Sequence, residues 1–165
     1  MPGIVADTGP INYLVLIGAA ELLPALFGSV ILPTAVGDEL AHPKTPAAVR
    51  AWMAQPPAWL TVRPAAPTAD PRVAALGNGE RDTIALATEL DATLILMDER
   101  AGVAVAQALG RAVTGTLGVL QRAARRDLVD LGTAFAALAG TSFHYRQELF
   151  DHLLREDRAR RGGGL

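Results

Sequence analysis

Gly3-Ile4-Val5-Ala6-Asp7-Thr8-Gly9-Pro10 and Thr93-Leu94-Ile95-Leu96-Met97-Asp98-Glu99-Arg100 decide the fold of this chain. Each is a short apolar run closed by an aspartate and followed by helix-forming sequence. Such runs read as strands buried on both faces, the kind that parallel sheets contain. Asp7 and Asp98 then stand at the exit ends of two core strands. In an open parallel α/β sheet ligands bind beyond the carboxyl ends of the strands, and paired acids at that edge suit a hard divalent cation.

The sequence on either side repeats the alternation of strand and helix. A strand at about 3–7 leads into an apolar helix at about 11–22, and Ser29-Val30-Ile31-Leu32 is a second strand ended by Pro33. Thr34 opens a helix through Val36 and Leu40 to His42, and another is expected from 46 to 54. Trp59-Leu60-Thr61-Val62 reads as an edge strand, and the proline-rich stretch 64–72 as a surface loop. A helix begins at Gly77-Asn78-Gly79, with Glu80 and Asp82 in its first turn, where acids complement the helix dipole. After the strand at 93–97 come a helix at 101–109 ended by Gly110, a short strand at 111–114, and helices at about 116–126, 131–139 and 144–160. Alternation of this kind predicts a parallel sheet covered on both faces. One domain is expected over 1–158, with 159–165 a disordered tail.

Composition narrows the function classes. The 165 residues are 50% hydrophobic and 19% charged, which fits a compact soluble domain that hides further surface in a dimer or a partner. No apolar run is long enough to span a membrane. The start does not read as a signal peptide, so a cytoplasmic location is expected. Cysteine is absent, which excludes disulfides and thiolate metal sites. Net charge is −2, but residues 122–165 carry 8 basic and 6 acidic side chains against 7 and 11 in residues 1–121. Arg122, Arg125, Arg126, Arg155, Arg158, Arg160 and Arg161 read either as phosphate contacts or as solvated helix faces.

Four acids fall where one sheet edge gathers them: Asp7, Glu39 on the helix after the second strand, Glu80 at a helix start, and Asp98. Brought within a few ångströms, carboxylates either raise their pKa values or bind a cation. Oxygen donors without Cys or suitably spaced His favour Mg²⁺ or Mn²⁺ over Zn²⁺, and the matching chemistry is phosphoryl transfer. Each acid also has an ordinary role: Asp7 and Asp98 as helix caps, Glu80 as a dipole-matched acid, Glu39 as part of a solvated face beside Asp38. His42, His144 and His152 show no ligand spacing and read as surface residues.

The order Val5-Ala6-Asp7-Thr8-Gly9-Pro10, Leu32-Pro33 through Asp38-Glu39-Leu40, Leu76-Gly77-Asn78-Gly79-Glu80 with Ile84-Ala85-Leu86-Ala87, Leu94 through Arg100, and Val113-Thr114-Gly115-Thr116-Leu117-Gly118 resembles a PIN domain, closest to the small prokaryotic DUF3368 branch. The resemblance implies a three-layer α/β/α sandwich around a mostly parallel sheet of four to five strands. It also implies a ribonuclease that uses Mg²⁺ or Mn²⁺ to hydrolyse RNA, with Asp7, Glu39, Glu80 and Asp98 as metal-binding acids. On that reading Asp7 and Asp98 hold the ion directly, and Glu39 and Glu80 act through water or a second ion. Thr8, Asn12, Thr114 and Thr116 are expected in support, with Asp82 and Glu99 as neighbouring acids. Gly9 stands where the family often has serine. Many small PIN domains are toxins similar to VapC, so an antitoxin partner and a homodimer are expected.

Three other readings compete. Asp7-Thr8-Gly9 is the aspartic protease tripeptide, but that chemistry needs two carboxylates sharing a proton in an antiparallel β protein. Gly77-Asn78-Gly79 lacks the lysine of a P-loop and the third glycine of a dinucleotide fingerprint. A catalytically inert PIN-like module that binds RNA or protein remains the main alternative, because a site written in a sequence need not function.

Overall fold

The computed structural model describes residues 3–162, and the chain divides into two compact units after Thr116. In chain order the first unit contains β1 (Ile4–Ala6), α1 (Thr8–Leu16), α2 (Leu22–Phe27), β2 (Val30–Pro33), α3 (Thr34–Leu40), α4 (Ala47–Ala54), β3 (Leu60–Arg63), α5 (Pro71–Ala74), α6 (Asn78–Leu90), β4 (Leu94–Leu96), α7 (Arg100–Ala108) and β5 (Val113–Thr114). The strands form one sheet in the order β3-β2-β1-β4-β5, parallel at every pairing and flanked by helices. The expected α/β architecture is therefore present, with five strands. The parallel sheet removes the protease reading of Asp7-Thr8-Gly9, which requires an antiparallel β fold.

Strand burial follows position in the sheet. All residues of β1 and β4 are buried, whereas β3, the outer strand beyond β2, buries only Leu60. That contrast matches the edge role expected of Trp59–Val62. Val5 on β1 lies between Ile31 of β2 and Ile95 of β4. Val5, Ile84, Leu86, Ile95, Met97 and Ala106 belong to one core cluster, which joins β1 and β4 to α6 and α7.

The apolar segment expected as one helix over 11–22 is instead two. Gly18 takes a φ of 72° and its N–H bonds back to the Val15 carbonyl, 3.0 Å away, which closes α1. A left-handed glycine is a common helix stop, and apolar content alone does not reveal it.

The second unit contains α9 (Leu131–Ala139), α10 (Gln147–Gly162) and α8 (Thr116–Arg125) beyond its first residue. Asp130 caps α9 by accepting from the Thr133 N–H at 2.9 Å. Phe135 of α9 stacks on Phe150 of α10, ring centroids 4.5 Å apart. Asp157 is buried on α10 and pairs with both Arg160 and Arg161, while Arg160 also donates to the Ala124 carbonyl at 3.1 Å. Burial pushes the Asp157 carboxyl up, but Arg161 and Arg160 outweigh it and hold the group below the ordinary range. Two of the arginines read either as phosphate contacts or as solvated helix faces thus hold a buried carboxylate. They also keep residues 159–162 helical where a tail was expected to begin; residues 163–165 lie outside the described residues. Among the described residues, no helix is long and apolar enough to cross a membrane.

Ile95 is fully buried, whereas Val62 on the outer strand is 41% exposed. Ile95→Ala is expected to lower the unfolding free energy by about 3 kcal/mol, and Val62→Ala by less than about 1 kcal/mol. Urea denaturation of both variants checks this ranking, and equal losses would place the core elsewhere.

Candidate functional site

The strand order turns back on itself at β1. From β1 the chain steps outward to β2 and β3 on one side, and β4 and β5 lie on the other. In open parallel sheets, ligands bind outside the carboxyl ends of the strands at such a switch point. Ala6 pairs with Leu96, and the Asp7 N–H donates to the Leu96 carbonyl at 2.8 Å. Asp7 and Asp98 leave neighbouring strands at this switch point. The sequence reading placed both acids at strand exits, and the sheet makes those exits adjacent.

Asp7 is 4% exposed. It occupies the N-cap position of α1 but makes no side-chain capping bond, so capping does not account for it. Burial pushes its carboxyl up to about 7; the Thr8 backbone N–H opposes this, and the charges of Glu80, Glu39 and Asp98 add to it. The acids that act on Asp7 are the three named with it in the sequence reading. Glu39 arrives from α3, Glu80 from the first turn of α6, and Asp98 from the end of β4.

Hydroxyl donors steady two of these acids. Thr8 donates to Glu39 Oε2 at 2.6 Å. Thr116 grips both oxygens of Asp98, its N–H reaching Oδ1 at 2.7 Å and its hydroxyl Oδ2 at 2.6 Å. Burial raises the Asp98 pKa and these two bonds lower it, leaving it above the ordinary range.

Glycines pack against the same carboxylates. A Cβ built on Gly79 would stand 2.8 Å from Glu39 Oε1 and 2.9 Å from Asp7 Oδ1. One on Gly9 would lie 3.1 Å from Asp98 Oδ2, and one on Gly115 2.5 Å from Asp98 Oδ1. Gly9 thus leaves room for Asp98. The sequence reading took Gly79 only as part of a helix start. A glycine inside a helix that has no conformational need for it was the available signal.

The supporting residues divide. Thr8 and Thr116 touch the acids. Asn12 is half-buried on α1, and Thr114 lies on β5, where its carbonyl accepts from the Met97 N–H at 3.0 Å. Asp82 is turned to the Arg81 guanidinium at 2.8 Å, and Glu99 is exposed at the N-cap of α7; neither is among the charges that raise Asp7. Among the described residues, no three acidic or histidine side chains are oriented to share one ion.

A carboxyl raised to about 7 in the folded chain and near 3.8 when unfolded has a definite effect on stability. Below pH 3.8 it is protonated in both states; between there and about 7 the unfolded chain ionises first, so stability falls as pH rises and then levels off. The total loss is on the order of 4 kcal/mol. In chelator, the stability difference between Asp7→Asn and wild type is expected to grow in favour of the variant between pH 4.5 and 8. Urea titrations at both pH values check this, and a difference independent of pH would show that ionised Asp7 is not held at a cost.

No curated protein and no solved structure matched the chain. A family model described as DUF3368, a PIN domain, matches residues 3–158. PIN domains are nuclease-type folds that act on nucleic acid by hydrolysis and generally use divalent metals. With that match running through both units and nearly the whole sequence, the chain belongs to the DUF3368 family of PIN domains.

Proposed function

We propose that this protein is a Mg²⁺- or Mn²⁺-dependent endoribonuclease whose metal-holding acids are Asp7, Glu39, Glu80 and Asp98. The observation that carries the reading is the buried Asp7 carboxyl, raised by burial and by three carboxylates from three other elements. An arrangement of that kind is unfavourable for folding, and a cation relieves it.

The donor set fits a hard divalent ion. All four groups offer oxygen, and the site draws on no sulfur or imidazole. Asp7 and Asp98, fixed at adjacent strand ends, are assigned direct contact. Glu39 is exposed and Glu80 half-buried, so each has room to turn and act directly or through water. Thr8 orients Glu39, and Thr116 fixes both oxygens of Asp98. A bound divalent ion supplies Lewis-acid stabilisation of the phosphodiester and of the water that attacks it. Burial raises the Asp7 carboxyl, and a bound cation favours its ionised form, so affinity is expected to rise with pH.

RNA is the assigned substrate class, in keeping with the nuclease family. One functional domain over 1–158 is supported by a family match that spans both units, and a cytoplasmic location and a homodimer complete the reading. Many small PIN domains are toxins similar to VapC, which motivates a toxin role with an antitoxin protein as partner. Leu128, Tyr145 and Leu149 are large exposed apolar side chains in the helical unit and are available for such contacts.

Purified protein is expected to cleave RNA with Mn²⁺ or Mg²⁺ and to stop in chelator. Asp7→Asn should lower cleavage by at least about 100-fold, as removing a key electrostatic group does, while remaining folded by circular dichroism. Induced expression of both forms, with growth and RNA integrity followed together, extends the test to the toxin role. Cleavage by Asp7→Asn at the wild-type rate would overturn the acid assignment. Tight Mn²⁺ binding with no hydrolysis would favour the inert RNA- or protein-binding module.

A further inference from the structure

Six glycines of the first unit fall into two groups with different physical reasons. Gly18, Gly28 and Gly110 take positive φ values, and a Cβ on any of them would meet nothing within 4 Å. They serve the backbone. Gly9, Gly79 and Gly115 are not among the positive-φ residues, so an L side chain meets no backbone objection there, yet a Cβ on each would press on a carboxylate oxygen of the acidic site. They serve the space around the acids.

Gly79 makes the case most sharply. It is buried at the second position of α6, where alanine would favour the helix by up to about 1 kcal/mol. The space its missing side chain would fill is already taken up by carboxylate oxygens: a Cβ there would stand 2.8 Å from Glu39 Oε1 and 2.9 Å from Asp7 Oδ1, closer than either can tolerate without shifting. These carboxylates come from α3 and from the end of β1. Nothing but the absent Cβ lets both approach α6 at once. Gly9 and Gly115 do the same for Asp98, each clearing one of its oxygens, and Oδ1, cleared by Gly115, is the oxygen that accepts from the Thr116 N–H.

We propose that Gly79, Gly9 and Gly115 are positioning residues that set the spacing of the metal-holding acids through the volume they leave to the carboxylate oxygens. The proposal rests on the metal-dependent reading of the site and adds to it the element that fixes how near the acids stand. A methyl group at position 79 wedges Asp7 and Glu39 apart while leaving the sheet and the core untouched. Gly37, on α3, is the matched control, because a Cβ there would meet Val62 Cγ1 at 3.5 Å and Met53 Cε at 3.7 Å, which is ordinary packing.

The test is Mn²⁺ titration of the full chain by calorimetry, with thermal unfolding in chelator and the electron paramagnetic resonance spectrum of bound Mn²⁺. Gly79→Ala is expected to lose at least about tenfold in Mn²⁺ affinity, the loss typical of a residue that orients a metal ligand. Its bound-Mn²⁺ spectrum should change, and its unfolding temperature in chelator should stay within a few degrees of wild type. Gly37→Ala should match wild type in affinity and spectrum. If Gly79→Ala does not fold, Gly9→Ala decides, since its Cβ needs a shift of only a few tenths of an ångström; weakened binding by a folded Gly9→Ala supports the proposal. Wild-type affinity in the folded alanine variant, or an equal loss in Gly37→Ala, overturns it. Absence of Mn²⁺ binding by wild type would bring down the metal-dependent reading and this inference together, whereas binding by wild type and variant alike removes this inference alone.

Discussion

The parallel pairing of β1 with β4 is the constraint on which the site depends. Three residue pairs, Ile4 with Leu94, Val5 with Ile95 and Ala6 with Leu96, bring together segments ninety residues apart. The ladder continues one step further through the Asp7 N–H to the Leu96 carbonyl. Because both strands are buried along their whole length, a register slip would turn core side chains to the wrong face. The two strand exits are therefore locked side by side, and the acids that follow them have fixed origins.

Fixing the origins creates an electrostatic problem that the surrounding residues partly solve. Asp7 is buried beside three other carboxylates and is raised to about 7. Asp98 has two good donors from Thr116, and Glu39 has the Thr8 hydroxyl. Glycines keep Cβ atoms out of the space these groups need. The energy for holding the acids together comes from burial of the β1, β4, α6 and α7 core, which is large compared with the repulsion it must overcome.

The helical unit uses charge for a different purpose. Asp157 is buried, like Asp7, but arginines surround it and its pKa falls below the ordinary range. Arg160 and Arg161 thereby anchor the end of α10, and the aromatic stack of Phe135 and Phe150 supplies apolar contact on the same helices. Two buried aspartates in one chain thus carry opposite perturbations: burial raises both, and only at Asp157 do paired arginines outweigh it.

Sequence alone determined the alternation of elements, the edge character of Trp59–Val62 and the placement of Asp7 and Asp98 at strand exits, and it named four acids as candidates for one site. These follow from local facts: apolar runs bounded by turn residues, burial on one face or two, and acids at element ends. It did not reveal the break at Gly18, the pairing of Arg160 and Arg161 with Asp157, or the role of Gly79. It also could not separate Glu80 from Asp82, two residues apart on one helix, until Asp82 was found turned to Arg81. Only the tertiary structure decided that β4 lies against β1, so that acids distant in the chain act on one another. Strand order depends on how helices pack across the sheet, a non-local matter that no short stretch of residues encodes. Side-chain direction and the volume left by a missing Cβ are likewise properties of the assembled fold.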